Sequence, residues 1–362
     1  MKKNMIIFFI KVNGLLFVGS ESFSKTIDES VKTSKDGFYL VPVFFYLPNT
    51  SYAIGDAFIY YNYPTPYNLK RSQDIVDGYG TYSTKKQMQT CVRINRFYGD
   101  NNYRFDPEVS HYYSPYEFLG IVPDLVTKVK EDVIYNKCRI KIDFLFSKIN
   151  NIYIGTYFWS EKFEHADDDS NCVIVKGDLL GSLAVTTSSL GWEVIYVLRA
   201  SLFCPTEEIF ADMSKLYFNK LAGVDVNFLR FDLYVRYNIG ITKQQVLALN
   251  TLIGSAASYV PIQMLLKLGN HQMMRGYLLG KYLDKTYGLF MQNTEDPYYE
   301  ELVHLHPLVS VRFCQRFPES NLNDFKIAGG IGLRYLLDRE QHLNLAQPQE
   351  GADFYFTIQE VV

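Results

Sequence analysis

The chain has 362 residues and a formal net charge of −3, too small to argue for nucleic acid or any other strongly charged partner. Aromatic residues make up 16%, with 29 Tyr and 26 Phe against 2 Trp, which favours strands and membrane interfaces over helices. No stretch approaches the roughly 18 apolar residues that a spanning helix needs, whereas a mean hydropathy of −0.09 is compatible with strands that face two media and average to neutral.

The chain opens with Met1-Lys2-Lys3-Asn4, then the apolar stretches Met5–Ile10 and Leu15–Val18, interrupted by Lys11. A basic start followed by an apolar middle is the pattern of an export leader, here with cleavage expected near Ser20–Ser22, so residues 1–23 are read as a signal peptide and 24–362 as one domain. Cys91, Cys138, Cys172, Cys204 and Cys314 are scattered without a close-spaced pair, and no metal or redox spacing appears.

Beyond the leader, strict alternation recurs over segments of strand length. From Arg139 to Lys148 the even positions are Ile140, Ile142, Phe144 and Phe146, opposite Arg139, Lys141, Asp143 and Ser147. From Phe228 to Ile239 the odd positions are Leu229, Phe231, Leu233, Val235, Tyr237 and Ile239, opposite Arg230, Asp232, Tyr234, Arg236 and Asn238. Phe325 to Tyr335 repeats the pattern, with Arg334 on its polar side. A polar face with several charges in mid-strand suits a water-filled or salt-bridged lumen, and Arg230, Asp232, Arg236 and Arg334 are the expected lumen charges.

Turn signals separate these runs. Asn150-Asn151 predicts a tight hairpin between Arg139–Ile149 and Ile152–Ser160. Gly99-Asp100-Asn101-Asn102 predicts a second turn, and Pro64-Thr65-Pro66 closes the tyrosine-rich segment Phe58–Tyr63. The acidic stretch Glu164–Asp169 reads as an exposed loop, and no long helix or domain linker is found. The expected fold is an all-β transmembrane antiparallel barrel of about 12 to 16 strands, with about 16 favoured because it leaves roughly 21 residues per strand and connection.

Several segments resemble the barrel domain of the BamA/TamA family of outer-membrane proteins, whose best-known members insert or export other proteins. The resemblance begins at Phe38-Tyr39-Leu40-Val41-Pro42-Val43 and Tyr46-Leu47-Pro48-Asn49-Thr50, similar to a first hairpin of that family. It is most specific at Met274-Arg275-Gly276-Tyr277, with Gly280, Tyr282 and Asp284 following, which resembles the family's arginine-glycine-aromatic motif on a long extracellular loop that folds back into the lumen. It ends in Gly330–Arg334, Leu343-Asn344-Leu345 and Phe354–Ile358, similar to the last strands.

The resemblance implies that Arg275 anchors the loop against lumenal carboxylates, that Gly276 permits a sharp bend, and that Tyr277 packs on the wall. Asp284 and Glu295 are the candidate carboxylate partners. The chain departs from the family pattern at Asn293, where an acidic residue is usual, and at Ala346-Gln347-Pro348-Gln349, where a second is expected. It ends in Val361-Val362 rather than a terminal aromatic residue. Only about 15 residues separate the leader from the first strand, so no periplasmic POTRA domain is expected.

Nothing marks a catalytic nucleophile beside Ser110-His111, and neither His304 with His306 nor Asp167-Asp168-Asp169 carries a complete ligand pattern, so no cofactor, metal or catalytic residue is predicted. Tyr113, Tyr116, Tyr153, Tyr157 and Trp159 are assigned to aromatic girdles at the bilayer interfaces. The expected partners are the outer-membrane bilayer and client outer-membrane proteins. A passive porin-like channel or structural barrel is the competing reading, and a soluble or surface-attached β protein a third.

Overall fold

The computed structural model describes residues 37–47, 51–62, 74–118, 131–149, 151–165, 180–181, 184–199, 208–219, 226–242, 245–268, 282–295, 304–306, 312–315, 331–338, 341–347 and 355–359. Its first strands are β1 (Gly37–Leu47), β2 (Ser51–Asn62), β3 (Asp74–Ser83), β4 (Met88–Tyr98), β5 (Tyr103–Phe118), β6 (Glu131–Ile149) and β7 (Ile152–His165). Then come β8 (Ala184–Arg199), β9 (Glu208–Phe218), β10 (Phe228–Thr242) and β11 (Gln245–Ser258). The short pair β12 (Leu266–Leu268) and β13 (Tyr282–Asp284) precedes β14 (Thr286–Glu295). Five further strands follow: β15 (His304–His306), β16 (Arg312–Gln315), β17 (Ile331–Asp338), β18 (Gln341–Gln347) and β19 (Tyr355–Gln359).

Neighbours in sequence are neighbours in space from β1 to β11, and every pairing among the described residues is antiparallel. A 13-stranded sheet runs in chain order from β1 to β11 and on through β14 and β16, and a 4-stranded sheet runs β15-β17-β18-β19. β19 comes alongside β1, with Cα atoms within 8 Å, and no hydrogen-bonded ladder joins them among the described residues.

The two asparagine-marked turns form where the sequence places them. Ile149 faces Ile152 across the β6–β7 hairpin, and Asn151 takes a φ of 69°, a left-handed conformation that asparagine tolerates better than most side chains. In the β4–β5 turn Gly99, Asp100 and Asn101 have φ values of 57°, 54° and 69°, and Tyr98 pairs with Tyr103. β2 ends at Asn62, just ahead of Pro64.

Burial follows the sequence alternation, inverted from what a water-soluble fold shows. Ile140, Phe144 and Phe146 on β6 and Leu229 and Tyr237 on β10 are exposed, while Arg236 and Asn238 of β10 and Glu161, Glu193 and Glu208 on neighbouring strands are buried. Charged side chains are rarely buried in soluble proteins unless paired, and a continuous exposed apolar face is rarer still. One face of the sheet is therefore hydrocarbon directed outward, and the other is an enclosed polar wall.

That wall is partly filled. Tyr135, Tyr157, Trp159 and Phe163 pack with Leu216, Phe218 and Phe228 in one buried cluster, where the Phe218 and Phe228 rings stack at 4.1 Å. Tyr153, Tyr157 and Trp159 thus lie on the enclosed face and not in an outward girdle. Sequence parity does not reveal this, because β7 alternates them with Ile154 and Phe158 and is apolar on both faces.

Candidate functional site

The first part of the connection from β11 to β14 packs on the enclosed face. Ser258 takes a φ of 79°, turning the chain off the ladder, and the run Val260-Pro261-Ile262-Gln263-Met264-Leu265-Leu266 that follows is entirely buried. Pro261 opens a tight 3-10 turn, its carbonyl accepting from the amides of Met264 (2.9 Å) and Leu265 (3.2 Å). Val260, Ile262, Met264 and Leu265 join the cluster formed by β6, β7, β8, β9 and β10.

Polar contacts fix this loop as well. The Ile262 amide donates to the Leu180 carbonyl at 3.0 Å, and the Gln263 side-chain amide donates to the Gly181 carbonyl, so the connection between β7 and β8 holds the loop from one side. Gly181 has a φ of 85°, and a Cβ there would meet the Gln263 oxygen at 2.6 Å, so this position requires glycine. From the wall, the Arg230 guanidinium reaches the Met264 carbonyl at 3.5 Å, and the Thr187 hydroxyl lies 3.7 Å from the Met264 sulfur.

The two ends of the loop are stapled together. Lys285 accepts a hydrogen bond at its carbonyl from the Ala256 amide (2.6 Å), and its ammonium donates to the Ser258 carbonyl (3.0 Å). Asp284 accepts from the Lys285 amide at 2.6 Å, so one candidate partner of the loop arginine sits at the loop's exit. Leu266 packs over β11 with Tyr287 because Gly254 leaves room: a Cβ there would lie 2.9 Å from the Tyr287 ring and 3.0 Å from Leu266.

Ion pairs line the wall around the loop. Arg139 of β6 pairs with Glu161 of β7, which is buried, and lies 3.8 Å from Glu108 of β5. Arg230 donates to Asp232 from Nε and Nη2 at 2.6 and 3.0 Å, and Arg236 donates to Glu208 at 2.9 Å while Asn238 donates to the other Glu208 oxygen at 3.3 Å. Three cations surround the Trp159 ring: Lys141 at 4.5 Å, Arg230 at 4.8 Å and Arg139 at 5.4 Å from its centroid. A ring quadrupole attracts cations on its faces, which helps this crowded cationic wall persist.

Of the residues singled out by sequence, Arg230, Asp232 and Arg236 converge on this wall. Arg334 lies on β17 opposite His304, and Glu295 closes β14 opposite Val246. Arg275, Gly276 and Tyr277, the leader (residues 1–23) and Pro348 lie outside the described residues. Sequence reasoning missed the wall contacts made by Glu108, Arg139, Glu161 and Glu208, and missed residues 260–266. The available signal was an apolar run that stops alternating right after a strand and contains a proline unable to donate to a ladder.

No family model matches the chain, and no curated protein matches it. Solved structures do. BamA from Haemophilus ducreyi lacking POTRA domains 1-3 superposes with a TM-score of 0.55 at 10% identity, covering 90% of this chain and 69% of that one. CdiB from Escherichia coli superposes with a TM-score of 0.57 at 9% identity, covering 90% of this chain and 60% of that one. The chain thus spans under two thirds of CdiB's length. At these identities the likeness is one of fold: the chain has a BamA-like β-barrel architecture.

Proposed function

We propose that the chain is an outer-membrane β-barrel acting in the insertion or passage of other proteins, by a mechanical route and not by catalysis. The single observation that carries the membrane reading is the inverted burial, because hydrocarbon outside and paired charge inside is stable only when the surrounding medium is itself apolar. The fold shared with BamA and CdiB supports the assembly role. So does the meeting of β1 and β19 without a ladder among the described residues, since unpaired strand edges can accept an added strand.

Sixteen strands fit this reading. β15 pairs with β17 and β16 with β14, so these two short strands occupy one place in the order between β14 and β17 and count as one wall strand, with β12 and β13 belonging to the loop. Residues 1–23 are proposed as an export leader and 24–362 as the barrel domain. Arg275, between β12 and β13 in the chain, is proposed as a loop anchor, with Asp284 and Glu295 as its candidate partners. Reversing its charge, Arg275→Glu, is expected to lower the heat resistance of the barrel, and unchanged heat resistance would remove that role.

The experiment for the assembly role places a photo-crosslinking residue at the exposed Leu40 of β1. Adducts with newly exported barrel proteins support the role, and their absence in cells actively exporting such proteins contradicts it. A porin-like channel is the second reading. It draws on Arg93 and Asp77, paired at 2.6 Å with side chains 57% and 27% exposed in register with the enclosed face of β3 and β4. A steady, wide, ion-selective conductance in a planar bilayer would favour it.

A further inference from the structure

The outward face of β2 holds a charge. Its outward positions are Tyr52, Ile54, Asp56, Phe58 and Tyr60, alternating with an inward set that begins at the buried Ala53, and Asp56 is exposed. Strand pairing joins this face to that of β6: Asp56 faces Gly80, Gly80 faces Thr90, Thr90 faces His111 and His111 faces Cys138, which shares its side with Ile140. Tyr52 and Tyr60 mark the two ends of the stripe, and Asp56 stands midway, about 13 Å along the strand from each. An ionisable side chain at membrane depth is costly and ordinarily turns inward or meets a partner. Asp74 and Glu164, other carboxylates on this outward face, lie at strand ends and pair with Arg96 at 3.3 Å and Lys162 at 2.5 Å. Among the described residues Asp56 makes no ion pair and no hydrogen bond.

The surface around Asp56 forms a notch. On the β1 side Pro42 faces it, between the Phe38 and Phe58 rings stacked at 6.4 Å and the Phe44 and Tyr52 rings stacked at 6.1 Å. On the β3 side Gly80 presents no side chain, and a Cβ there would meet only the Thr90 methyl, at 3.8 Å. The preceding outward residue, Gly78, is covered by the Phe58 ring, which lies 2.8 Å from where its Cβ would stand. The open floor at Gly80 therefore lies between Asp56 on β2 and the half-buried Thr90 on β4, two strand spacings apart, roughly 9–10 Å between Cα atoms.

We propose that Asp56, Gly80 and Thr90 form a docking notch on the lipid-facing wall for a membrane-spanning segment of a partner protein that carries an arginine at mid-depth. A guanidinium stays charged and offers a planar fork of N–H donors, enough to bond the carboxylate and the threonine hydroxyl together. The missing side chain at Gly80 lets a neighbouring segment approach the backbone closely. Lipid headgroups lie at the level of the tyrosines and beyond, so a cation reaches Asp56 when a spanning segment delivers it. The notch rests on the reading of this face as lipid-facing, and not on the insertion or passage of proteins.

The test reconstitutes the full chain in phosphatidylcholine vesicles, with a photo-crosslinking residue in place of the exposed Ile54. The probe is a synthetic leucine-rich spanning peptide with one central arginine, and the same peptide with leucine at that position is its control. Adduct yield against peptide concentration is expected to show the arginine peptide binding roughly tenfold more tightly, as a charge-assisted pair away from water requires. Asp56→Asn should remove that preference, and Gly80→Val, which fills the floor of the notch, should weaken it several-fold. Equal binding of the two peptides, or a preference unchanged in these variants, overturns the proposal. A preference that vanishes when phosphatidylethanolamine replaces phosphatidylcholine would assign Asp56 to a lipid ammonium group and overturn it as well. Heat-dependent gel migration of every sample separates this proposal from the membrane reading: a parent chain that shows none fails that reading and takes the notch with it, whereas a folded barrel without arginine preference loses the notch alone. Should Gly80→Val fail to fold, Asp56→Asn, which keeps the side chain's shape, decides.

Discussion

Arg236 and Glu208 meet across β9 and β10 with the guanidinium Nη2 2.9 Å from Oε1, the carboxylate fully buried and the arginine side chain 9% exposed. Removing one partner of a buried pair leaves an uncompensated charge and typically costs about 3–5 kcal/mol. Glu208→Gln is therefore expected to destabilise the folded barrel by that order in a urea titration, while the double change Glu208→Gln with Arg236→Met should recover much of the loss, because the stranded charge is gone. A single variant as stable as the parent would show that the pair does not close the wall.

The outward face makes a prediction that depends on the medium. Ile140 is exposed, and in a water-soluble sheet Ile140→Lys would be nearly neutral. In a bilayer, a lysine on the lipid face near the midplane costs roughly 2–4 kcal/mol. Folding into vesicles should thus be impaired by Ile140→Lys and little affected by Ile149→Lys near the β6–β7 turn; equal effects would contradict the assigned face.

Met264 locks the loop to the wall. It is 2% exposed, and truncating a buried methionine to alanine costs about 2–5 kcal/mol. Because β12 and β13 pair with each other and not with the 13-stranded sheet, Met264→Ala should chiefly free the segment between β11 and β14, seen as faster protease cleavage within residues 259–285 while the heat-stable barrel persists. Uniform loss of the whole barrel would mean the loop and wall unfold as one unit.

Asn151 occupies a left-handed position with a φ of 69°. Asn151→Val is expected to lose roughly 1–2 kcal/mol from the strained backbone, and Asn151→Gly to leave stability about unchanged. Folding kinetics and the urea midpoint of both variants check this.

The strand pattern was legible because alternation and asparagine or glycine turns act locally: β6, β7 and β10 and the turns at Gly99 and Asn151 appear where residue order alone puts them. The identities of the ion pairs were not, since Arg236 meets Glu208 only through the β9–β10 register, and nothing within β10 specifies that register. Trp159 shows the same limit from the other side. It shares parity with Glu161, a clue to the inside, yet both faces of β7 carry aromatic rings, and only the packing of Phe218 against it at 6.0 Å decides its direction. The motif at Arg275 lies outside the described residues, and the buried run at Val260–Leu266 carries no periodicity to announce it.

The central claim, a transmembrane β-barrel with hydrocarbon outside and a charged lumen inside, is tested most directly by the migration of the outer-membrane fraction on a mild-detergent gel, with and without boiling. The account predicts a compact, faster-running species that shifts to the mobility of the unfolded chain only on heating. Absence from that fraction, or identical migration in both lanes, would contradict it.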